Sequence, residues 1–260
     1  MLESLRLVDA HQSSLKPFYE VLFSFCTTRS KGLITKVMSL AAVARQRWDT
    51  AANRRFCGKI GIWPFISIEP ALRNSRNRPA GTPVTKPISS VTADVYREFV
   101  IQKLLPAINS KRPLNERANV IKIQQDNAKP HLSPTDNQFL HAAQVLNLNV
   151  QLTCQPPNSP DLNVLDLGFF HSIQSLQYTE SPTTIEELIA AVVNSYNAIA
   201  HTTLNDIFLT LQTVMESCIL SDGNNNFKTP HCYKRRLENS GQLPISLALS
   251  PELEEKLAAA

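Results

Sequence analysis

The chain has 260 residues, 43% of them hydrophobic, enough apolar material for one large core or two small ones and too much for a chain disordered throughout. Lys and Arg number 26 against 22 Asp and Glu, a formal charge of +4, with charged residues at 18% against roughly 25% in an average soluble chain. This mild surplus suits a polyanionic partner only if it gathers on one face. The five cysteines, Cys26, Cys57, Cys154, Cys218 and Cys232, are odd in number and lack C-x-x-C spacing, which argues against a disulfide framework and a Cys-rich zinc site. No apolar run approaches the roughly 20 residues of a membrane span. Residues 1–11, with Glu3, Arg6 and Asp9, lack the apolar centre of a signal peptide, so a soluble intracellular protein without a membrane partner is expected.

Residues 1–30 hold two weak hints, Leu5 and Leu7 before Asp9 and an apolar run over 18–26 broken by Glu20, and read as a poorly defined N-terminal segment. The β-branched and apolar stretch 33–44 predicts a strand, and 59–67 (KIGIWPFIS) a second, with Pro64 marking an edge or bulge. Together they read as a hairpin-like pair. Between them lie Arg45, Arg47, Arg54 and Arg55, and after them comes a loop-like segment over 73–86 with Arg73, Arg76 and Arg78.

Val91, Val95, Phe99, Leu104 and Leu105 fall near helical spacing, predicting a helix over 90–108 that Pro106 ends or kinks. Residues 120–123 form a short buried strand leading into Gln124, Gln125 and Asp126. Ser133 and Pro134 supply a cap and first-turn proline for a helix to about 146. A strand over 150–154 follows, and Ser159 and Pro160 repeat the cap-and-proline signal for a helix from 161 to about 176. The order predicts an α/β domain over 31–220 with a mixed sheet. Helices at 184–200 and 204–220 complete it, and a basic tail over 221–260 ends in a frayed helix.

Two acids stand where a carboxylate needs a reason. Asp126 comes directly off a strand end, where open α/β sheets bind ligands. Asp166, at 100° per residue, shares the apolar face of its predicted helix with Leu162, Leu165, Phe169, Phe170 and Ile173; Asp161 reads instead as a first-turn acid facing the helix dipole. A carboxylate on a core face is costly unless compensated, and hard divalent cations, Mg²⁺ or Mn²⁺, suit such oxygen ligands. The plainer alternative is that each Asp caps a turn or pairs with a neighbour such as Lys129 or His131.

QQDNAKPH over 124–131 and QPPNSPDLNVLDLGFF over 155–170 resemble the catalytic core of mariner-like transposases, cut-and-paste DNA transposases with a D, D, D/E triad on a ribonuclease-H-like fold. The second and third acids of the triad correspond to Asp126 and Asp166, with 39 residues between them, a spacing similar to the plant-type branch that ends in Asp. KVMSLAAVAR (36–45), GKIGIWPF (58–65), NRPAGT (77–82) and residues 225–243 also resemble that branch, so the likeness covers about 31–244.

The resemblance implies metal-dependent DNA cleavage and strand transfer, with Asp126 and Asp166 as catalytic Mg²⁺ or Mn²⁺ ligands and His131 and Asn127 supporting them. DNA is the implied partner, a homodimer stays open, and a nuclear location follows. The seven arginines at 45, 47, 54, 55, 73, 76 and 78 are candidate DNA contacts, with simple surface charge as the alternative. For His131 a structural hydrogen bond to the following helix is the alternative, and Trp63 reads as packing. Lys234, Arg235 and Arg236 suit nuclear import, phosphate contact or a solvated turn, whereas His231 and Cys232 read as structural. The sequence departs from the family in its first acid: no D-E-K-W-like motif is present, and Asp9 is the only candidate substitute. Nor can residues 1–30 hold the family's helix-turn-helix modules, so a truncated, catalytically impaired domain is expected, with an inactive nucleic-acid- or partner-binding module as the rival.

Overall fold

The computed structural model describes residues 21–23, 25–28, 37–116, 118–177, 180, 182–224, 227–228, 233–244 and 246–259. The long central strand is β3 (Val37–Val43), whose side chains are buried along nearly its whole length. That explains its continuous apolar run, since a strand covered on both faces has no polar side to alternate. Leu40 and Ala42 enter one core, while Ala41 and Val43 enter the other.

The strands β1 (Val21–Phe23) and β2 (Phe25–Thr28) follow one another closely. β2 pairs antiparallel with β3, which pairs antiparallel with β6 (Lys59–Pro64). β1 pairs parallel with β9 (Ile121–Gln125), and β9 parallel with β10 (Val150–Cys154). These make two three-stranded sheets, in the orders β2, β3, β6 and β1, β9, β10, and β1 lies against β3, which brings the two side by side. Two further hairpins leave these sheets, β4 (Arg47–Asp49) with β5 (Arg54–Phe56) and β7 (Ile66–Pro70) with β8 (Pro83–Pro87).

One face is covered by α1 (Ala93–Phe99), a π-helical turn over Val100–Leu104, α2 (Leu105–Lys111) and α3 (Asn137–Val145). Tyr96, Leu104, Leu105 and Phe139 fill that core at no more than 1% exposure. The opposite face carries a π-helical turn over Leu165–Phe169 that runs into α4 (Phe170–Gln177), then α5 (Ile185–Ala198) and α6 (His201–Leu220). Val164, Leu165, Phe169, Ile173 and Leu204 are fully buried there. α5 begins with a reciprocal cap between Thr184 and Glu187, which satisfies donors that a helix start leaves free. Helix, sheet and helix thus form three layers.

Several sequence expectations need correction. Pro106 does not end the first helix, which continues to Lys111: it falls in the first turn of α2, directly after the π-helical turn, where a missing N–H is tolerated. The strand expected over 59–67 breaks at Phe65 into β6 and β7, because Phe65 turns fully into the core and its N–H donates to Met38 O. Ser133 and Pro134 form a turn, and Asp136 is the cap of α3, its carboxylate accepting from Phe139 N–H at 2.9 Å. The segment after Ser159 opens with only a short 3₁₀ turn, Pro160–Leu162. The C-terminal region contains α7 (Lys234–Asn239) and α8 (Pro251–Ala258). α8 is docked rather than frayed: Leu253 is 3% exposed and Lys256 pairs with Asp222 at 2.7 Å.

Candidate active site

Asp126 leaves the C-terminal end of β9, the strand flanked on both sides by parallel partners. Ile121, Ile123 and Gln125 of β9 point into the helix-covered core, leaving Lys122 and Gln124 on the other face. Asp126 Oδ1 accepts a hydrogen bond from Ala128 N–H at 2.8 Å and lies 2.8 Å from His131 Nδ1, which is also 2.8 Å from the Asp126 carbonyl oxygen. With two oxygen acceptors beside it, Nδ1 is the protonated ring nitrogen. Burial alone would raise the Asp126 carboxyl, but the His131 bond and charge and the Ala128 N–H outweigh it and hold the group below the usual carboxylate range.

His131 is fixed from behind. Its side chain is 4% exposed, and its ring packs on Tyr96 with centroids 4.5 Å apart. Tyr96 O–H donates to Gln125 Oε1 at 3.4 Å, and Gln125 Nε2 donates to Leu132 O at 2.5 Å. Burial keeps the Tyr96 phenol protonated, far above its ordinary titration range. For Asp126 this is the plainer role that the sequence offered: it caps a local turn at Ala128 and pairs with His131.

The segment bearing Asp166 is stitched to the same strand end. Gln155 N–H donates to Gln125 O at 2.8 Å, Asn127 Nδ2 to Gln155 O at 2.7 Å, and Gln124 Nε2 to Leu162 O at 2.9 Å. Asn163, fully buried, receives Leu165 N–H on Oδ1 at 3.0 Å and donates from Nδ2 to Asp166 Oδ2 at 2.8 Å. Asp166 itself is exposed, not on the apolar face. The reason is the π-helical turn, where Phe170 N–H bonds to Leu165 O: an i→i+5 turn does not advance 100° per residue, so Leu165 and Phe169 enter the core while Asp166 faces outward. The cost of a buried carboxylate therefore applies in part to Asp126 and not to Asp166. Asp161 is exposed in the 3₁₀ turn.

β1 and β2 carry no Asp or Glu, although β1 runs beside β9 as far as Phe23 opposite Gln125, one residue short of Asp126. Asp9, His231 and Cys232 lie outside the described residues. Among the described residues no group of three or more His, Cys, Asp or Glu is gathered for a metal ion, and no helix is long and apolar enough to cross a membrane. The two carboxylates are hard oxygen donors of the kind that suits Mg²⁺ or Mn²⁺, carried on segments joined by hydrogen bonds. They do not make up the ligand set of a two-ion centre.

The arginines divide into two groups. Arg45 donates to Gln212 Oε1 at 3.2 Å and Arg47 is held against Glu116 at 2.7 Å with 10% of its side chain exposed, so both are turned inward, contrary to expectation. Arg54 and Arg55 on β5, and Arg73, Arg76 and Arg78 between β7 and β8, are exposed. Trp63 packs against the core as expected. The sequence reading missed Asp49, Glu116 and Trp48. A W-D-T-A-A run is a readable Asx-turn signal, whereas Glu116, the partner of Arg47, lies 69 residues from it in the chain and carries no local mark.

No family model and no curated protein matches the sequence. Among solved structures the chain is similar to the catalytic domain of Mos1 mariner transposase, with a TM-score of 0.59 and 19% identity over 85% of this chain and 90% of that one. The Mos1 catalytic domain with raltegravir and manganese gives 0.55 and 19% over 81% and 85%. A pre-cleavage Mos1 transpososome gives 0.52 and 17% over 80% of this chain and 56% of that one. The fold is that of the ribonuclease-H-like Mos1 catalytic domain. At these identities the likeness is one of fold, and what the Mos1 fold does in this chain depends on the residues at its strand ends.

Proposed function

We propose that the chain is a transposase-derived domain of the mariner-like, plant-type D-D-D class, acting on DNA in the nucleus. Asp126 and Asp166 are its surviving metal ligands. The observation that carries the reading is the placement of Asp126 at the C-terminal end of β9, with Gln124, Gln125 and Asn127 tying that strand end to the Asp166 segment. A Mg²⁺ or Mn²⁺ ion held there supplies charge stabilisation at a phosphodiester. His131 and Ala128 occupy Asp126 Oδ1 and so aim the carboxylate, while Asn163 aims Asp166. Arg54, Arg55, Arg73, Arg76 and Arg78 are placed to contact phosphates. The lack of an acid on β1 and β2 favours an impaired enzyme, or a binding module without cleavage, over a working transposase.

Calorimetric titration of Mg²⁺ and Mn²⁺ tests the site. The parent is expected to bind with weak affinity, and Asp126→Ala or Asp166→Ala to remove the binding while leaving the circular dichroism unchanged. A parent that binds neither ion at millimolar concentration overturns the assignment.

A second measurement concerns His131. Removing a group that orients a metal ligand typically weakens the metal by about 10–100-fold, so His131→Ala is expected to weaken Mn²⁺ by that order. His131→Asn, whose amide can also donate to Asp126, recovers part of it. Equal Mn²⁺ affinity in parent and His131→Ala would show that Asp126 needs no such support.

A further inference from the structure

The chain leaves the central strand β3 after Ala44, runs out through the β4–β5 hairpin and returns at Gly58. Ala44 N–H donates to Gly58 O at 2.7 Å, and Gly58 sits at φ +80° where an added Cβ would lie 2.1 Å from Ala44 O, so only glycine closes this excursion. A two-stranded hairpin alone is marginal in water, yet this one is bolted down on its inner side. Arg47 Nε donates to both Glu116 carboxylate oxygens at 2.7 and 2.8 Å, and its guanidinium lies 4.6 Å from the centre of the Phe56 ring. Asp49, 1% exposed, accepts from the N–H groups of Ala51, Ala52 and Leu114 at 3.0–3.1 Å. Arg112 ties the far side by donating to the carbonyls of Glu116 and Asn119.

The outer side is the reverse. Trp48 is 51% exposed and stands in register with Arg55 across the hairpin; Arg54 is exposed as well but stands opposite Asp49, one register position away. The only acid within residues 45–57 is Asp49, whose charge is taken up inside by backbone donors. The hairpin therefore holds out a large aromatic surface bordered by the cation of Arg55, on a support anchored from its inner side. The complement of that surface is a flat π-face flanked by negative charge. Bases inside a duplex have both faces stacked, so only an unpaired base offers one.

We infer that the β4–β5 hairpin is a docking platform for single-stranded nucleic acid, with the Trp48 indole stacking on an unpaired base and Arg55 on a flanking phosphate. The platform needs neither Asp126 nor a metal ion, so it stands or falls apart from the proposed active site.

Binding of fluorescein-labelled oligothymidylate, followed by anisotropy in the presence of a chelator, tests this. Trp48→Ala is expected to weaken binding about 10-fold or more, Trp48→Phe to keep most of it, and Arg55→Ala to flatten the plot of log affinity against log salt by about 0.7. A blunt duplex of the same length is expected to bind Trp48→Ala as it binds the parent. Because Trp48 is exposed, its replacement leaves the thermal transition in place. Equal affinity of parent and Trp48→Ala for oligothymidylate overturns the inference, as does an equal loss on single-stranded and duplex DNA. A parent that ignores oligothymidylate at low salt but self-associates through Trp48 assigns the hairpin to a protein partner and overturns it too.

Discussion

Replacement of Phe169 by Ala is expected to lower stability by about 3–5 kcal/mol, the usual cost of emptying a buried aromatic site. Phe169 is 0% exposed and meets Phe170 and Tyr196 edge-on, with centroids 6.1 and 6.0 Å away. Its neighbours cannot close the gap cheaply, because Tyr196 belongs to α5 and Phe170 opens α4, so each is already held by its own backbone. In a chain of this size the loss corresponds to a fall in Tm of about 10 °C, measurable by calorimetry. Leu165 and Phe169 also anchor the π-helical turn that turns Asp166 outward, so the variant is expected to weaken Mn²⁺ binding beyond any global unfolding. An unchanged Tm would mean that this core can repack, and that the turn is not held by its aromatic contacts.

The second large effect is expected from Glu116→Ala. Arg47 and Glu116 have only 10% and 8% of their side chains exposed, and truncating one partner of a buried ion pair leaves an uncompensated charge, typically at a cost of about 3–5 kcal/mol. Burial pushes the Glu116 carboxyl up to about 7 and the Arg47 guanidinium down to about 9, the mark of two charges that are expensive to bury. The paired replacement Arg47→Met with Glu116→Leu is therefore expected to unfold much closer to the parent than either single variant does. A pH dependence follows with a definite sign. Because the folded value for Glu116 lies above its ordinary 4.5, the folded protein retains that proton longer. The contribution of this group to stability is full below about 4.5 and is lost as pH rises through about 7. Glu116→Gln removes this segment of the stability profile. Denaturant titrations across that range check both points, and a Glu116→Ala variant within about 0.5 kcal/mol of the parent, the scatter of surface substitutions, would show that the hairpin has no such anchor.

Much of the fold was legible because it is written in local patterns. The buried run of β3 and the short buried strand β9 leading into Asp126 each occupy a few consecutive residues. Backbone hydrogen bonding and side-chain period decide such features without reference to the rest of the chain. The placement of Asp126 at a strand end was readable for the same reason. The direction of Asp166 was not, since the angular arithmetic assumes an α-helix and the chain makes a π-helical turn there.

The sequence by itself therefore determined the order of β3, β6, β9 and β10 among the helices, the strand end that carries Asp126, and the absence of acids from residues 21–28. Tertiary structure alone decided which charges are spent inside. Arg47 and Arg54 look alike in a basic stretch, yet one is held by Glu116 and the other stays in solvent. It also decided that Trp48 faces outward. The physical reason is range: hydrogen-bonded periods are set by neighbours in the chain, whereas the worth of a charge or an aromatic ring depends on burial and on partners brought in from far along it.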